Sequence, residues 1–346
     1  MSVDDGVRGR PVPDPATITA VIELAARAPS LHNTQPWRWR FDGRCLCLYA
    51  DAERQLTSTD PLARQLVISC GAMLDHVATV FADRGWHTDI VRVPDERHPD
   101  RLAAIEFRPW SNPPANIRAL ARAVEHRRTD RLALHEPVGW AEVLPRLRAL
   151  TAAQYVRLDV LDESVRPQLA ALSREYATLR GHDLFYDTEL HWWAGHSDAR
   201  EGIPRTALAS EAEFARVGVG RVFPPGPRTA HRDHFADRAQ LVVLSAVRDS
   251  VPQWVRIGEA LSAVLLECTV AELATCTLTN ITELPAGRDL LTGMISSPGI
   301  PQVVVRVGTP PTDDAYQPAP TPRRPVTDIL TLAGPTPTAP PRSRNR

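Results

Sequence analysis

Two stretches far apart in the chain read alike. Residues 71–77, GAMLDHV, and residues 258–264, GEALSAV, share Gly, Leu and Val at matched spacing. Each lies in a long helical pattern of apolar residues, and each pattern follows one apolar strand and precedes another. The first pattern runs from Pro61 to about Arg84, with Asp60 as its cap and Pro61 at the first helical position; the second runs from Val255 to Ala274. Two similar halves can bury a shared interface within one chain, as a homodimer does between two. With 346 residues, the chain is long enough for two such core-forming halves.

Composition narrows the function classes. Hydrophobic residues make up 43% and charged residues 23%, a globular balance. The net charge of -1 gives no general basic field for nucleic acid. Positive charge is carried by arginine, so a strong local anion site would be built from guanidinium forks, which grip phosphate bidentately. The N-terminal MSVDDGVRGRPVPDP shows neither an apolar stretch nor a cleavage site, and no run of about 18 apolar residues suggests a membrane span. Cys45, Cys47, Cys70, Cys268 and Cys276 form no CxxC pair; an odd count of thiols fits a reducing cytoplasm better than a disulfide framework.

The remaining elements follow from periodicity. Residues 1–15 read as a flexible leader. Helices are expected over Thr17–Ala28 and near 111–126, 141–152 and 163–180, and strands over Trp37–Phe41, Cys45–Tyr49, Leu102–Phe107, Tyr155–Val160, Ala239–Val247 and Pro301–Gly308. Residues 182–236 are rich in His, Trp, Gly and Pro with weak periodicity, the mark of an insertion or lid. Beyond Thr309 proline dominates, and 331–346 read as a disordered tail.

Three segments could carry chemistry. The loop 28-APSLHNTQPWRW-39 offers Ser30, His32, Asn33, Thr34 and Gln35, a mixture of donors and acceptors suited to a polyhydroxyl chain or the edge of a heterocycle. A simple capped turn would use the same residues. The run 127-RRTDR-131 packs three arginines and a threonine into a compact anion site, or else a solvated charge cluster. A second arginine pair stands between prolines in 322-PRRP-325. The spacings His231/His234 and His191/His196 lack a third ligand, so no metal site is expected. No GxGxxG follows a strand and no GxSxG is present, which argues against a Rossmann site and the usual hydrolase elbow.

Together these segments resemble the nitroreductase superfamily of FMN-binding oxidoreductases, and within it the tandem, single-chain, Acg-like branch. The stretch 29-PSLHNTQPW-37 resembles that family's PSxxNxQPW signature, and 127-RRTDR-131 its arginine-rich phosphate motif. The run from Gly258 to Glu283 is similar to the family's core helix and the flavin-edge loop after it; 302-QVVVRVG-308 with Arg323 and Arg324 is similar to its closing strand and basic clamp. The resemblance spans roughly residues 17–330. It implies an α+β, three-layer nitroreductase-like fold with two tandem halves, residues 16–112 and 113–330, forming an intramolecular pseudo-dimer that can stand as a monomer.

The resemblance also implies a site. In the dimeric family the loop and the arginine motif of one flavin site come from opposite subunits. Here each motif occurs once, in opposite halves, so one FMN per chain is implied. Arg127, Arg128, Thr129 and Arg131 would meet the phosphate and ribityl chain, with Arg323 or Arg324 adding to the clamp. Pro29, Ser30, Leu31 and Asn33 would line the ring and ribityl, Gln35 would support the loop, and Thr282 and Glu283 would stand near the flavin edge. NAD(P)H would be the electron donor and a nitro- or quinone-like small molecule the acceptor. No side chain is needed as acid, base or nucleophile, because the flavin does the hydride chemistry. The sequence AELATC at 271–276 lacks the glycines of a GLG-like turn. With a lid over the ring, that departure keeps a flavin-sequestering protein as the rival function.

Overall fold

The structure, a computed structural model, describes residues 11–95, 97–195, 201–227, 232–312 and 320–333. The first helix, α1 (Pro15–Ala25), starts where Asp14 accepts the Thr17 amide at 2.8 Å and Pro15 fixes the first turn. Of the expected leader, Val12 packs on the core and Pro15 opens the helix; residues 1–10 lie outside the described ones. Strands β1 (Trp37–Phe41) and β2 (Leu46–Ala50) form a hairpin around Asp42-Gly43. Helix α2 (Arg64–Asp83) follows, then the antiparallel pair β3 (Trp86–Arg92) and β4 (Arg101–Pro109).

Helix α2 begins three residues later than its proline suggested. Ala63, in the left-handed region, occupies the capping position, and the Asp60 carboxylate reaches forward to the Leu66 amide at 2.8 Å. Among the described helices, α2 alone is long and apolar enough to cross a membrane. Its apolar window is 89% buried inside the protein, so its hydrophobicity belongs to the core.

The second part begins with α3 (Ile117–His126), α4 (Trp140–Ala153), strand β5 (Arg157–Val160) and α5 (Arg166–Gly181). The insertion is more regular than its composition suggested. It holds α6 (Leu184–Trp193) and α7 (Glu211–Val217), the latter opened by a capping box in which Ser210 and Glu213 satisfy each other's backbone amides. Then come β6 (Gln240–Ala246), α8 (Val251–Val270), β7 (Ala274–Leu278), the short α9 (Asn280–Glu283), α10 (Pro285–Thr292) and β8 (Ile300–Gly308). Helix α8 starts earlier than expected, because Pro252 fits a first helical turn, and it stops at Val270, because Glu272 takes a positive φ of 58°.

The two sheets have one topology. The first runs β3-β4-β2-β1 and the second β7-β8-β6-β5, with every neighbour antiparallel and the long helix between the two strand pairs. Even the register shifts correspond, between Leu48 and Tyr49 on β2 and between Leu244 and Ser245 on β6. The chain then returns to the first sheet. After α11 (Val326–Ile329), strand β9 (Leu330–Leu332) pairs parallel with β1. Thr331 and Leu332 are thus strand residues, where the sequence suggested a disordered tail; residues 334–346 lie outside the described ones.

Each long helix serves both cores. Trp37, Trp39, Met73 and Phe81 form the first core together with Val255 and Leu266 of α8, and Leu261, Val264, Val303 and Val305 form the second together with Ile68 of α2. The two helices cross where Gly71 meets Gly258. Ser262 Oγ donates to Asp75 Oδ2 at 2.6 Å one turn further on, and Glu259 receives Arg92 from the first half at 2.6 and 2.7 Å.

Candidate functional site

The signature loop leaves the end of α1 and folds into an unusual backbone. His32, Asn33 and Gln35 all take positive φ, at 48°, 60° and 50°. Left-handed conformations cost non-glycine residues about 1–3 kcal/mol each and persist only where the surroundings impose them. Here they do. Ser30 Oγ accepts the Gln35 amide at 3.0 Å, and the Leu31 amide donates to Ser69 Oγ of α2 at 3.2 Å. Asn33 Nδ2 donates to the carbonyls of Gly202 and Pro322 at 2.9 and 3.0 Å, tying the loop to the insertion and to the C-terminal segment. Gln35 is fully buried; its Oε1 accepts the Arg324 amide at 2.9 Å.

The arginine motif docks on the edge of the second sheet. Thr129 bridges to Thr275 of β7, and the Asp130 amide donates to the Thr275 carbonyl at 2.9 Å. This brings the motif to the signature loop of the other half. Between them lies a narrow polar cavity of about 60 Å³, lined by Ser30, Asn33, Thr129 and five arginines: Arg27, Arg127, Arg128, Arg131 and Arg323. No carboxylate lines it among the described residues.

The electrostatics of that cavity are one-sided. Burial and its arginine neighbours pull the Arg127 guanidinium down to about 10; the same causes pull Arg323 to about 9. Both remain protonated at neutral pH. Arg127 Nε and Arg27 Nε are buried without a hydrogen-bond partner. Arg323 also donates to the Ala26 and Arg27 carbonyls at 2.8 and 3.1 Å, closing the end of α1. Buried positive charge without a carboxylate partner is costly, and an anion among these guanidiniums would offset that cost.

The polar cavity adjoins a larger one of about 300 Å³, with Pro29, Ser30, Thr129, Arg131 and Ile203 common to both. The first half contributes Leu31, His32 and Ile68 to its lining, and the second half contributes Leu261, Thr277 and Val303. The insertion supplies Phe214 and Phe223. Phe223 stands 5.6 Å from the His32 ring, edge to face, with the Arg131 guanidinium 5.5 Å from its centroid. His32 is buried with both ring nitrogens unpartnered. Burial, and then the charges of Arg221 and Arg131, hold its pKa well below the usual range, so its ring is neutral.

Most of the residues singled out in the sequence converge here. Pro29, Ser30, Leu31, Asn33, Arg127, Arg128, Thr129, Arg131 and Arg323 all line one or both cavities. Four stand elsewhere: the buried Gln35, which supports the loop as expected, and three more. Arg324 lies behind the loop, where it donates to the Gln35 carbonyl at 3.2 Å and to Asp51 at 3.1 Å, so of the PRRP pair only Arg323 faces the polar cavity. Thr282 is fully buried and donates to the Gln302 carbonyl at 2.9 Å, outside the larger cavity. Glu283 turns away into an ion pair with Arg221. In place of these two, Thr277, Leu278 and Thr279 line the larger cavity.

Sequence reasoning missed Arg27 and Arg306. Arg306 had a signal, a lone charge inside the apolar run QVVVRVG. It is 1% exposed and needs the buried Asp237 carboxylate, which it meets at 2.5 and 3.2 Å. Arg27 had none, since only the fold brings it to the polar cavity.

No family model matches the chain. It is 44% identical to the Mycobacterium tuberculosis protein named "Putative NAD(P)H nitroreductase acg", over 90% of this chain and 95% of that protein. A second protein of the same description and organism, Rv3131, is 34% identical over 92% of each chain. Among solved structures, the FMN-dependent nitroreductase NfnB from Mycobacterium smegmatis in complex with NADPH aligns at a TM-score of 0.39 and 14% identity, covering 61% of this chain and 96% of that one. With its likeness to the first relative running nearly end to end, this chain belongs to the NAD(P)H nitroreductase family.

Proposed function

We propose that the chain is an FMN-dependent oxidoreductase that takes hydride from NAD(P)H and reduces nitro- or quinone-like acceptors, with one flavin bound between two halves arranged as a pseudo-dimer. The observation that carries this reading is the joining of two unlike cavities at the meeting of the two motifs. A narrow end holds buried guanidiniums without a lining carboxylate, and a broad end is largely apolar. A phosphate on a polyhydroxyl chain that ends in a flat heterocycle has that same polarity.

The residues present fit such a group. Arg127, Arg131 and Arg323 would grip the phosphate, and the orphaned Arg127 Nε would gain a partner. Ser30 and Thr129, which line both cavities, would meet the ribityl hydroxyls. His32, neutral and unpartnered, can give and accept one hydrogen bond each at the ring edge. Phe214 and Phe223 would shield the ring from water. When bound, the flavin supplies the hydride chemistry, and the chain positions it. The shared topology of the two sheets and the reciprocal contact of Gly71 and Gly258 support the pseudo-dimer reading.

The test is flavin release and quantitation on purified protein, followed by anaerobic titration with NADH and NADPH. One FMN per chain, bleached by a nicotinamide, is the expected result. Two flavins per chain would overturn the single-site layout, and a flavin that neither nicotinamide bleaches would overturn the enzyme reading.

A further inference from the structure

Behind the wall of the larger cavity lies another of about 270 Å³. The segment Arg221–Val222–Phe223 forms the wall and lines both. Helices α5, α6 and α9 enclose the rest.

The charges of this second cavity are already matched. Arg221 pairs with Glu283 and donates to the Tyr186 hydroxyl at 2.8 Å. Arg180 lies 3.8 Å from Asp183 and 5.0 Å from the Tyr186 ring centroid. Unlike the arginine cavity, this one is lined by carboxylates, Asp187 and Glu283, beside its guanidiniums. Three polar groups of the lining are left over. Arg180 Nε, the Tyr176 hydroxyl and Asn280 Oδ1 are buried without a hydrogen-bond partner, the last two on residues that are each only 8% exposed. Asn280 Nδ2 is held by long contacts alone, 3.4 Å to Ser173 Oγ and 3.5 Å to the Gly220 carbonyl. Native proteins rarely leave such groups unmet.

We propose that this cavity binds a small, neutral aromatic carboxamide. A carboxamide carries on one carbon the N–H that Asn280 Oδ1 lacks and the carbonyl that the Tyr176 hydroxyl lacks. Tyr186 and Phe223 supply aromatic surface for the ring. The volume falls at the small end of ligand pockets, which limits the occupant to about one ring with its substituent. The site does not depend on the flavin reading, because it shares only its wall with the larger cavity.

Benzamide and benzoate, equal in size and different in charge, are the probes. Their binding to the full chain is followed by saturation-transfer NMR, with flavin content measured in every sample. Benzamide is expected to saturate, and benzoate to bind roughly tenfold more weakly, because burial would strip its carboxylate of water beside the Asp187 and Glu283 carboxylates. Asn280→Leu and Tyr176→Phe are each expected to weaken benzamide roughly fivefold, the loss of one hydrogen bond. Ala177→Phe, on a half-buried position of α5 that lines the cavity, is expected to fill it and abolish binding with the fold and flavin content unchanged. Absence of saturable benzamide binding would overturn the proposal. So would equal binding to Ala177→Phe, unchanged affinity in both polar variants, or displacement of benzamide by added FMN. A protein that lacks flavin yet shows the expected benzamide pattern would count against the flavin reading alone.

Discussion

Gly71 and Gly258 face each other where α2 crosses α8, and neither position has room for a methyl group. A Cβ on Gly71 would lie 2.1 Å from the Val255 carbonyl oxygen, and one on Gly258 would lie 2.0 Å from the Ile68 carbonyl oxygen. The contact is reciprocal, since each glycine meets the carbonyl three residues before its counterpart. Backbone cannot yield as a flexible side chain can, so the helices must move apart. Gly71→Ala or Gly258→Ala is expected to cost about 3 kcal/mol, the upper part of the overpacking range. The double variant should cost less than the sum, because one separation relieves both clashes. Gly181→Ala, with nothing within 4 Å of its added Cβ, is the control and should leave the unfolding midpoint unchanged or slightly raised. Thermal and denaturant unfolding of the four variants checks this.

The phosphate clamp gives the second expectation. Charge-assisted hydrogen bonds contribute about 1.5–3 kcal/mol each. Replacing Arg127 and Arg131 together with alanine should weaken FMN binding by roughly two orders of magnitude or more, with the circular dichroism spectrum unchanged. Equilibrium dialysis against FMN measures the loss. Wild-type occupancy in the double variant would mean that no phosphate sits there.

The third expectation concerns the insertion as a lid. Phe223 packs against His32 and Arg131 at the wall of the larger cavity. If the insertion gates access, then Phe223→Ala should speed flavin reduction by NADPH in stopped-flow measurements while FMN stays bound. Equal rates in variant and wild type would show that the insertion docks on the core without gating. Among the remaining aromatics of the insertion, Trp192 is 68% exposed and Trp193 lies beneath Arg54 at 5.3 Å, so neither shares the position of Phe223.

The fourth expectation is a pH dependence. His76 is fully buried on α2, with Nδ1 3.2 Å from the Ala25 carbonyl. Burial, reinforced by the charge of Arg127, pushes its pKa down to about 3. The unfolded chain takes up this proton near pH 6.5, before the folded one does. The stability contributed by neutral His76 is therefore fully present above about pH 6.5 and is lost as pH falls toward 3, by at most about 1.4 kcal/mol per pH unit. His76→Gln should flatten the acid limb of stability across that window, as followed by urea unfolding at pH 7, 6, 5 and 4. A slope unchanged from wild type would assign the acid sensitivity to other groups.

Local sequence determined much of this protein by itself. The repeat around Gly71 and Gly258 is visible because a close helix crossing admits no side chain, and that demand is met at a fixed spacing within each helix. The loop 29–37 and the run 127–131 are legible because contiguous residues supply their own donors and their own charge. Strands such as β1 and β8 follow from alternation or from an unbroken apolar run. What only the tertiary structure decided lies in pairings between segments remote in sequence. Glu283 could have faced the cavity, but the Arg221 guanidinium, 62 residues away, claims its carboxylate. Arg323 and Arg324 are equivalent by sequence; the carbonyls at the end of α1 hold the first at the polar cavity, and Asp51 draws the second behind the loop. Strand β9 is three residues long and has no periodicity to read, because its order comes from the edge of β1. Such choices depend on which charges and edges meet after folding, and a one-dimensional pattern holds no record of that meeting.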